Sequence, residues 1–104
     1  MNVQYKKGVL ELLVLSLLNR EDRYGYHISD QLSSRIDISA GTVYPILRKL
    51  KSDGLVTTYL AEESGGPPRK YYRITDEGRV EYERALGEWM EFTKMVQAIL
   101  EESR

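Results

Sequence analysis

The chemistry this chain can offer is concentrated in two short stretches. In the first, Thr42, Pro45 and Lys49 recur at helical spacing, with Tyr44 and Arg48 beside them and Ser39 and Gly41 leading in. In the second, the loop Gly65-Gly66-Pro67-Pro68 ends in the adjacent cations Arg69 and Lys70. Guanidinium and ammonium groups neutralise phosphates, and a guanidinium also pairs with the edge of guanine. Hydroxyls donate to phosphates, and threonine and aromatic side chains meet the thymine methyl. The set therefore points to nucleic-acid contact. Lys6 and Lys7, before the first helix, can hold flanking backbone. Each cation also reads as an ordinary solubilising charge, and that reading is preferred for Lys51 and Arg73. It is not preferred for Arg69 and Lys70, which lie where a phosphate backbone would run.

Other chemistries find little support. The sequence has no cysteine and one histidine, His27, which removes disulfides, thiolate metal sites and histidine clusters. His27 has no carboxylate or second ligand at useful spacing, so it reads as a solvent-facing or hydrogen-bonded helix residue. Ser64-Gly65-Gly66 is not followed by a helix N-terminus and reads as turn chemistry rather than a phosphate-binding loop. No catalytic constellation of serine, histidine and carboxylate is present. No catalytic residue and no cofactor is expected.

The 104 residues suffice for one compact unit, small enough to gain stability from association. The net charge of −1 is unevenly spread. Residues 1–75 hold 11 Lys/Arg against 8 Asp/Glu, a balance of +3, whereas residues 76–104 hold 4 against 8, a balance of −4. A mildly basic module joined to an acidic helix follows. The apolar run Val9–Leu18 is too short to span a bilayer and contains Glu11 and Ser16. With no signal-peptide layout, a cytoplasmic protein without membrane contact is expected.

The elements that position these residues are four helices and a hairpin. The first helix, about Lys7 to Asn19, is leucine-rich on nearly every side and should be mostly buried. Glu21-Asp22-Arg23 reads as a polar connection. A second helix is expected from Gly25 to Arg35. A third starts near Ser39, a good N-cap, and ends at Gly54. Its Val43, Ile46, Leu47 and Leu50 form the core face, and Pro45 shapes its exposed beginning. Two β-rich runs, Val56–Leu60 and Lys70–Ile74, make a hairpin directly after it. A fourth helix, capped by Thr75, continues to about Glu101 and is about 40 Å long at ~1.5 Å per residue. Its seam, Tyr82, Leu86, Trp89, Thr93, Val96 and Leu100, has spacings of 4, 3, 4, 3 and 4, and Phe92 and Ile99 widen it. A seam of that length calls for a second copy of the chain. The fold class is mainly α with a small β-hairpin: a winged helix-turn-helix over residues 1–75 and a dimerisation helix over 76–104, forming one compact unit.

The run GTVYPILRKLKSDGLV followed by GGPPRKYYRITDEG resembles the PadR family of bacterial transcriptional regulators, and LLVLSLLNREDRYGYHISDQL is similar to that family's first two helices. The combination Gly41-Thr42-x-Tyr44-x-x-Leu47 with Arg69-Lys70-Tyr71-Tyr72-x-x-Thr75 is far more specific than a bare helix-turn-helix. The length resembles the short subfamily, with one terminal helix.

The resemblance implies a homodimeric repressor of a nearby operon, bound to a palindromic double-stranded operator. It also implies a planar aromatic effector held at the dimer centre against Trp89, with Leu86 and Thr93 a turn to either side and Gly8, Glu11, Leu12 and Leu15 on the opposite wall. Thr93 departs from the acidic residue some members place there, and Glu11 can supply negative charge instead. Dimer packing is an equal role for Trp89. The dimerisation set is Tyr82, Leu86, Trp89, Phe92, Val96, Ile99 and Leu100. Two rival classes are a winged-helix protein-interaction module and a ligand-binding dimer without DNA.

Overall fold

The computed structural model describes residues 3–62 and 65–104, with side chains from Lys7 onward. The elements are α1 (Val3–Arg20), β1 (Arg23–Tyr24), α2 (Gly25–Ser33), a 3-10 turn (Ala40–Thr42), α3 (Val43–Ser52), β2 (Val56–Ala61), β3 (Arg69–Ile74) and α4 (Asp76–Glu102). The expected mainly helical winged architecture is present. Its sheet has three strands rather than two, in the antiparallel order β1-β3-β2.

The third strand corrects the expectation of a plain connection after α1. Arg23 and Tyr24 pair with Tyr72 and Tyr71 of β3. A two-residue strand carries no periodic signal of its own. It forms because β3, already paired on one side, presents a second free edge to the chain entering α2.

The third helix also begins differently. Ala40–Thr42 is a separate 3-10 turn, closed by the Thr42 N–H donating to Ser39 O at 3.1 Å. Ser39 makes no side-chain cap to backbone; its Oγ shares a hydrogen bond with Thr42 Oγ1 at 2.9 Å. Pro45 supplies the reason. In a continuous helix from Ser39 its ring would press on the carbonyl four residues back and remove a hydrogen bond. Restarting at Val43 places Pro45 in the first turn, where the missing N–H has no partner to lose.

The exit of α3 follows the expectation. Gly54 takes φ +76°, a left-handed conformation suited to glycine. Leu55 N–H donates to Leu50 O at 2.9 Å and Gly54 N–H to Lys51 O at 3.1 Å, closing the last turn. Thr75 caps α4 by accepting from Gly78 N–H at 3.0 Å, while its own hydroxyl donates to Gly54 O at 2.8 Å. The start of α4 is thereby tied to the end of α3. Gly78 is required there: a Cβ would collide with the Leu55 carbonyl oxygen and lie 2.7 Å from Ile74 Cγ1.

The core joins Leu10, Val14, Leu15 and Leu18 of α1 to Ile28 and Leu32 of α2, the expected Val43, Ile46, Leu47 and Leu50 of α3, and Val56, Tyr72 and Ile74 of the sheet. Buried Ser29 donates to Ala40 O at 2.6 Å and so satisfies its hydroxyl. Tyr82 packs on this core from α4. Beyond it α4 runs outward, and the molecule measures 58 × 28 × 21 Å. Among the described residues no helix is long and apolar enough to cross a membrane, and no group of metal-ligating side chains clusters.

Candidate nucleic-acid interface

The outer surface of the 3-10 turn and α3 carries Ser39, Gly41, Thr42, Tyr44, Pro45 and Arg48, all exposed. Their inward neighbours Val43, Ile46, Leu47 and Leu50 are buried, so the helix is anchored by one stripe and free on the other. Lys7 of α1 joins this surface, sharing a small hollow with Ser39, Thr42 and Pro45. The Lys6 side chain lies outside the described residues, as does Ser64 of the loop. Tyr44 is 38 % exposed, and one ring carbon lies 3.9 Å from where a Cβ on Gly25 would stand. Burial raises the pKa of the Tyr72 phenol beneath this surface, the nearby Tyr44 adds to the shift, and the Arg48 charge opposes it.

The wing separates the two adjacent cations. Successive strand residues point to opposite faces. Lys70 shares its face with Tyr72 and Ile74, which join the core built around α3, and pairs across the ladder with exposed Leu60. Arg69 points the other way, and its guanidinium lies 5.0 Å from the centre of the Tyr24 ring. On that reverse face Tyr24, Tyr71 and Tyr59 form one row across the three strands. Tyr59 and Tyr71 stack with centroids 5.6 Å apart. Asp22 accepts from Tyr59 Oη at 2.7 Å and from Arg73 Nε at 3.0 Å, tying the wing to the segment after α1. Arg73 is therefore a structural partner of Asp22 rather than a plain surface charge.

Lys49 parts from the other cations of α3. Its ammonium lies 3.0 Å from Glu11 Oε1 and 2.9 Å from Asp53 Oδ2, turned towards α1 and α4. Hydrogen bonds to Asp53 and Glu11 raise its pKa, outweighing the cost of desolvation.

That turn places Lys49 on the wall of a cleft of about 620 Å³ between α1, the end of α3 and α4. Of the side chains expected to meet a planar molecule, Gly8, Glu11, Leu12, Leu15 and Trp89 line this cleft. Leu86 and Thr93 do not. Thr93 donates to Met90 O at 3.0 Å and borders a shallow hollow farther along α4. Sequence reasoning missed the polar rim. Arg84 bridges Glu81 and Glu88, and the Glu81 carboxyl is held below its ordinary pKa chiefly by its hydrogen bond from Arg84. The Glu81-x-x-Arg84-x-x-x-Glu88 spacing was a readable signal. Glu11 and Lys49 are 38 positions apart in the sequence and gave none.

Of the expected dimerisation residues, Tyr82, Leu86 and Trp89 are partly covered within the chain, whereas Phe92, Val96, Ile99 and Leu100 are exposed.

Known proteins match this arrangement. The model of the transcriptional regulator PadR-like family matches residues 14–84. A crystal structure of a PadR-like transcriptional regulator from Bacillus cereus superposes with a TM-score of 0.84 at 35 % identity, covering 93 % of this chain and 96 % of that one. Bacillus subtilis PadR in complex with operator DNA superposes with a TM-score of 0.65 at 28 % identity, covering 75 % of this chain and 46 % of that one. The transcriptional regulator YqjI of Escherichia coli is 29 % identical over 99 residues, 91 % of this chain but 42 % of that protein. An exposed, partly basic helix face flanked by a wing, on a chain matched along most of its length, belongs to a member of the PadR-like family of transcriptional regulators.

Proposed function

We propose that this regulator binds a palindromic operator as a homodimer and represses transcription in the cytoplasm. Residues 1–75 are the reading module and residues 76–104 the dimerisation helix. The observation that carries this reading is the continuous exposed surface formed by Ser39, Gly41, Thr42, Tyr44, Pro45 and Arg48, with Lys7 at one side. Lys70 extends it, because it lies on the wing face turned towards α3. In a two-fold dimer, two such helices enter successive major grooves about 34 Å apart. Arg48 contacts a guanine edge or a phosphate, the hydroxyl groups hold phosphates, and Lys70 meets the flanking backbone. The operator-bound relative supports this mode of binding. Arg69 contributes through the stability of the wing, since its guanidinium rests on Tyr24.

The test is titration of the chain's own promoter fragment with wild type and the variants Arg48→Ala, Lys70→Glu and Arg69→Glu. Arg48→Ala and Lys70→Glu are expected to weaken binding most and to reduce its salt dependence. Affinity unchanged by both would sink the reading. A protein-interaction module would show no steep salt dependence towards DNA.

The effector belongs to the same proposal. Trp89 on the wall of the α1–α4 cleft supports a planar aromatic ligand there, stacked on the indole. Titration of Trp89 fluorescence with planar aromatic compounds, with and without promoter DNA, tests it. Saturable quenching that weakens DNA binding is the expected result.

A further inference from the structure

Arg48 and Lys49 are neighbours on α3, yet they serve different surfaces. Arg48 stands on the exposed outer face. Lys49 reaches across to Glu11 of α1 at 3.0 Å and back to Asp53, at the end of its own helix, at 2.9 Å. The Glu11 side chain is 27 % exposed and that of Lys49 55 %, so the contact sits at the solvent-exposed rim of the cleft. Glu81 of α4 also feels the Lys49 charge, and Trp89 lines the same cleft. The ammonium is thus a point where α3, α1 and the cleft wall meet.

We propose that Lys49 is a positioning residue that clamps α3 to α1 and couples the cleft to the DNA-reading face, and that it does not itself contact DNA. This rests on the DNA-binding reading above. An ammonium already hydrogen-bonded to two carboxylates must give up those contacts to reach a phosphate. Its removal loosens the angle at which the adjacent Arg48 is presented. Because both members of the pair line the same cleft as Trp89, a change of α3 pitch on binding DNA alters the surroundings of the indole. Coupling of this kind is reciprocal, so the cleft also biases the reading face.

The experiment compares wild type, Lys49→Gln, Lys49→Arg and Glu11→Gln with the intact chain and a promoter fragment. Two readouts are used: the slope of log affinity against log salt, and the change in emission of Trp89, the single tryptophan, on adding DNA. A clamp predicts that Lys49→Gln lowers affinity by up to about fivefold, the scale of an exposed ion pair, with no change of slope. Glu11→Gln should weaken binding similarly, although it removes a negative charge near DNA. Lys49→Arg should restore both affinity and the DNA-induced Trp89 change that Lys49→Gln abolishes. A slope smaller by about 0.9 for each Lys49 lost, or tighter binding by Glu11→Gln, would overturn the proposal and make Lys49 a phosphate contact. If the wild type binds no DNA, the DNA-binding reading fails. The clamp is then judged by Trp89 emission alone, and a spectrum identical in wild type and Lys49→Gln overturns it.

Discussion

The body of the molecule and the distal half of α4 treat the same kind of residue in opposite ways. In the body, Leu15, Leu18, Ile28, Leu47 and Leu50 are each no more than 2 % exposed. In the distal half of α4, Met90, Phe92, Met95, Val96, Ile99 and Leu100 are between 37 % and 64 % exposed. Apolar content is similar, but the number of elements available to cover it is not. Three helices and a sheet surround the first set, whereas the described residues leave most of the second set uncovered. The body spends its apolar surface on its own fold, and the distal helix leaves its apolar surface uncovered within the protomer.

The largest effects should fall on the body. Leu47→Ala removes a fully buried side chain from the inner stripe of α3 and should cost about 2–5 kcal/mol of unfolding free energy in urea titrations. Ile99→Ala should leave the fold of the protomer intact and instead weaken association, at about 1.5–3 kcal/mol for each side chain withdrawn from an apolar interface. Sedimentation equilibrium with circular dichroism separates the two. An Ile99→Ala protein with unchanged self-association would break the comparison.

Gly78→Ala sharpens the boundary between the regions. The added methyl has no room beside the Leu55 carbonyl and Ile74, so about 1–3 kcal/mol of stability should be lost. Gly87, only nine positions on, has nothing within 4 Å of an added Cβ. Gly87→Ala should be neutral or slightly stabilising in the same thermal-melt comparison, because alanine favours helix.

The smallest effect is a pH dependence confined to the body. Burial raises the pKa of Tyr72 above its unfolded value of about 10. The neutral phenol therefore contributes stability that is complete below pH ~10 and is lost as pH rises through the folded pKa. Tyr72→Phe should flatten this alkaline limb of the urea midpoint. If the limb persists in Tyr72→Phe, another group carries it.

Much of α3 and its flanks was legible in the sequence because the signals are local. The stripe Val43, Ile46, Leu47 and Leu50, the exit at Gly54 and the cap at Thr75 each depend on residues within one or two turns. Strand β1 was not legible, since two residues have no period. The need for glycine at 78 was not legible either, because its obstacle is a carbonyl 23 residues earlier. Neighbouring cations looked alike in sequence and separated in space. Strand alternation sent Arg69 to Tyr24 and Lys70 to the α3 side, and helical rotation sent Arg48 outward and Lys49 to Glu11.

Composition and periodicity by themselves determined a winged module, an outward basic helix face and a long helix with surplus apolar surface, because burial of a stripe needs only regular spacing. Tertiary structure alone decided which cations pair with carboxylates distant in the sequence. Asp22 meets Tyr59 and Arg73 across 37 and 51 residues, and Glu11 meets Lys49 across 38. An ion pair depends on distances of a few ångströms, and those exist only once the helices have packed.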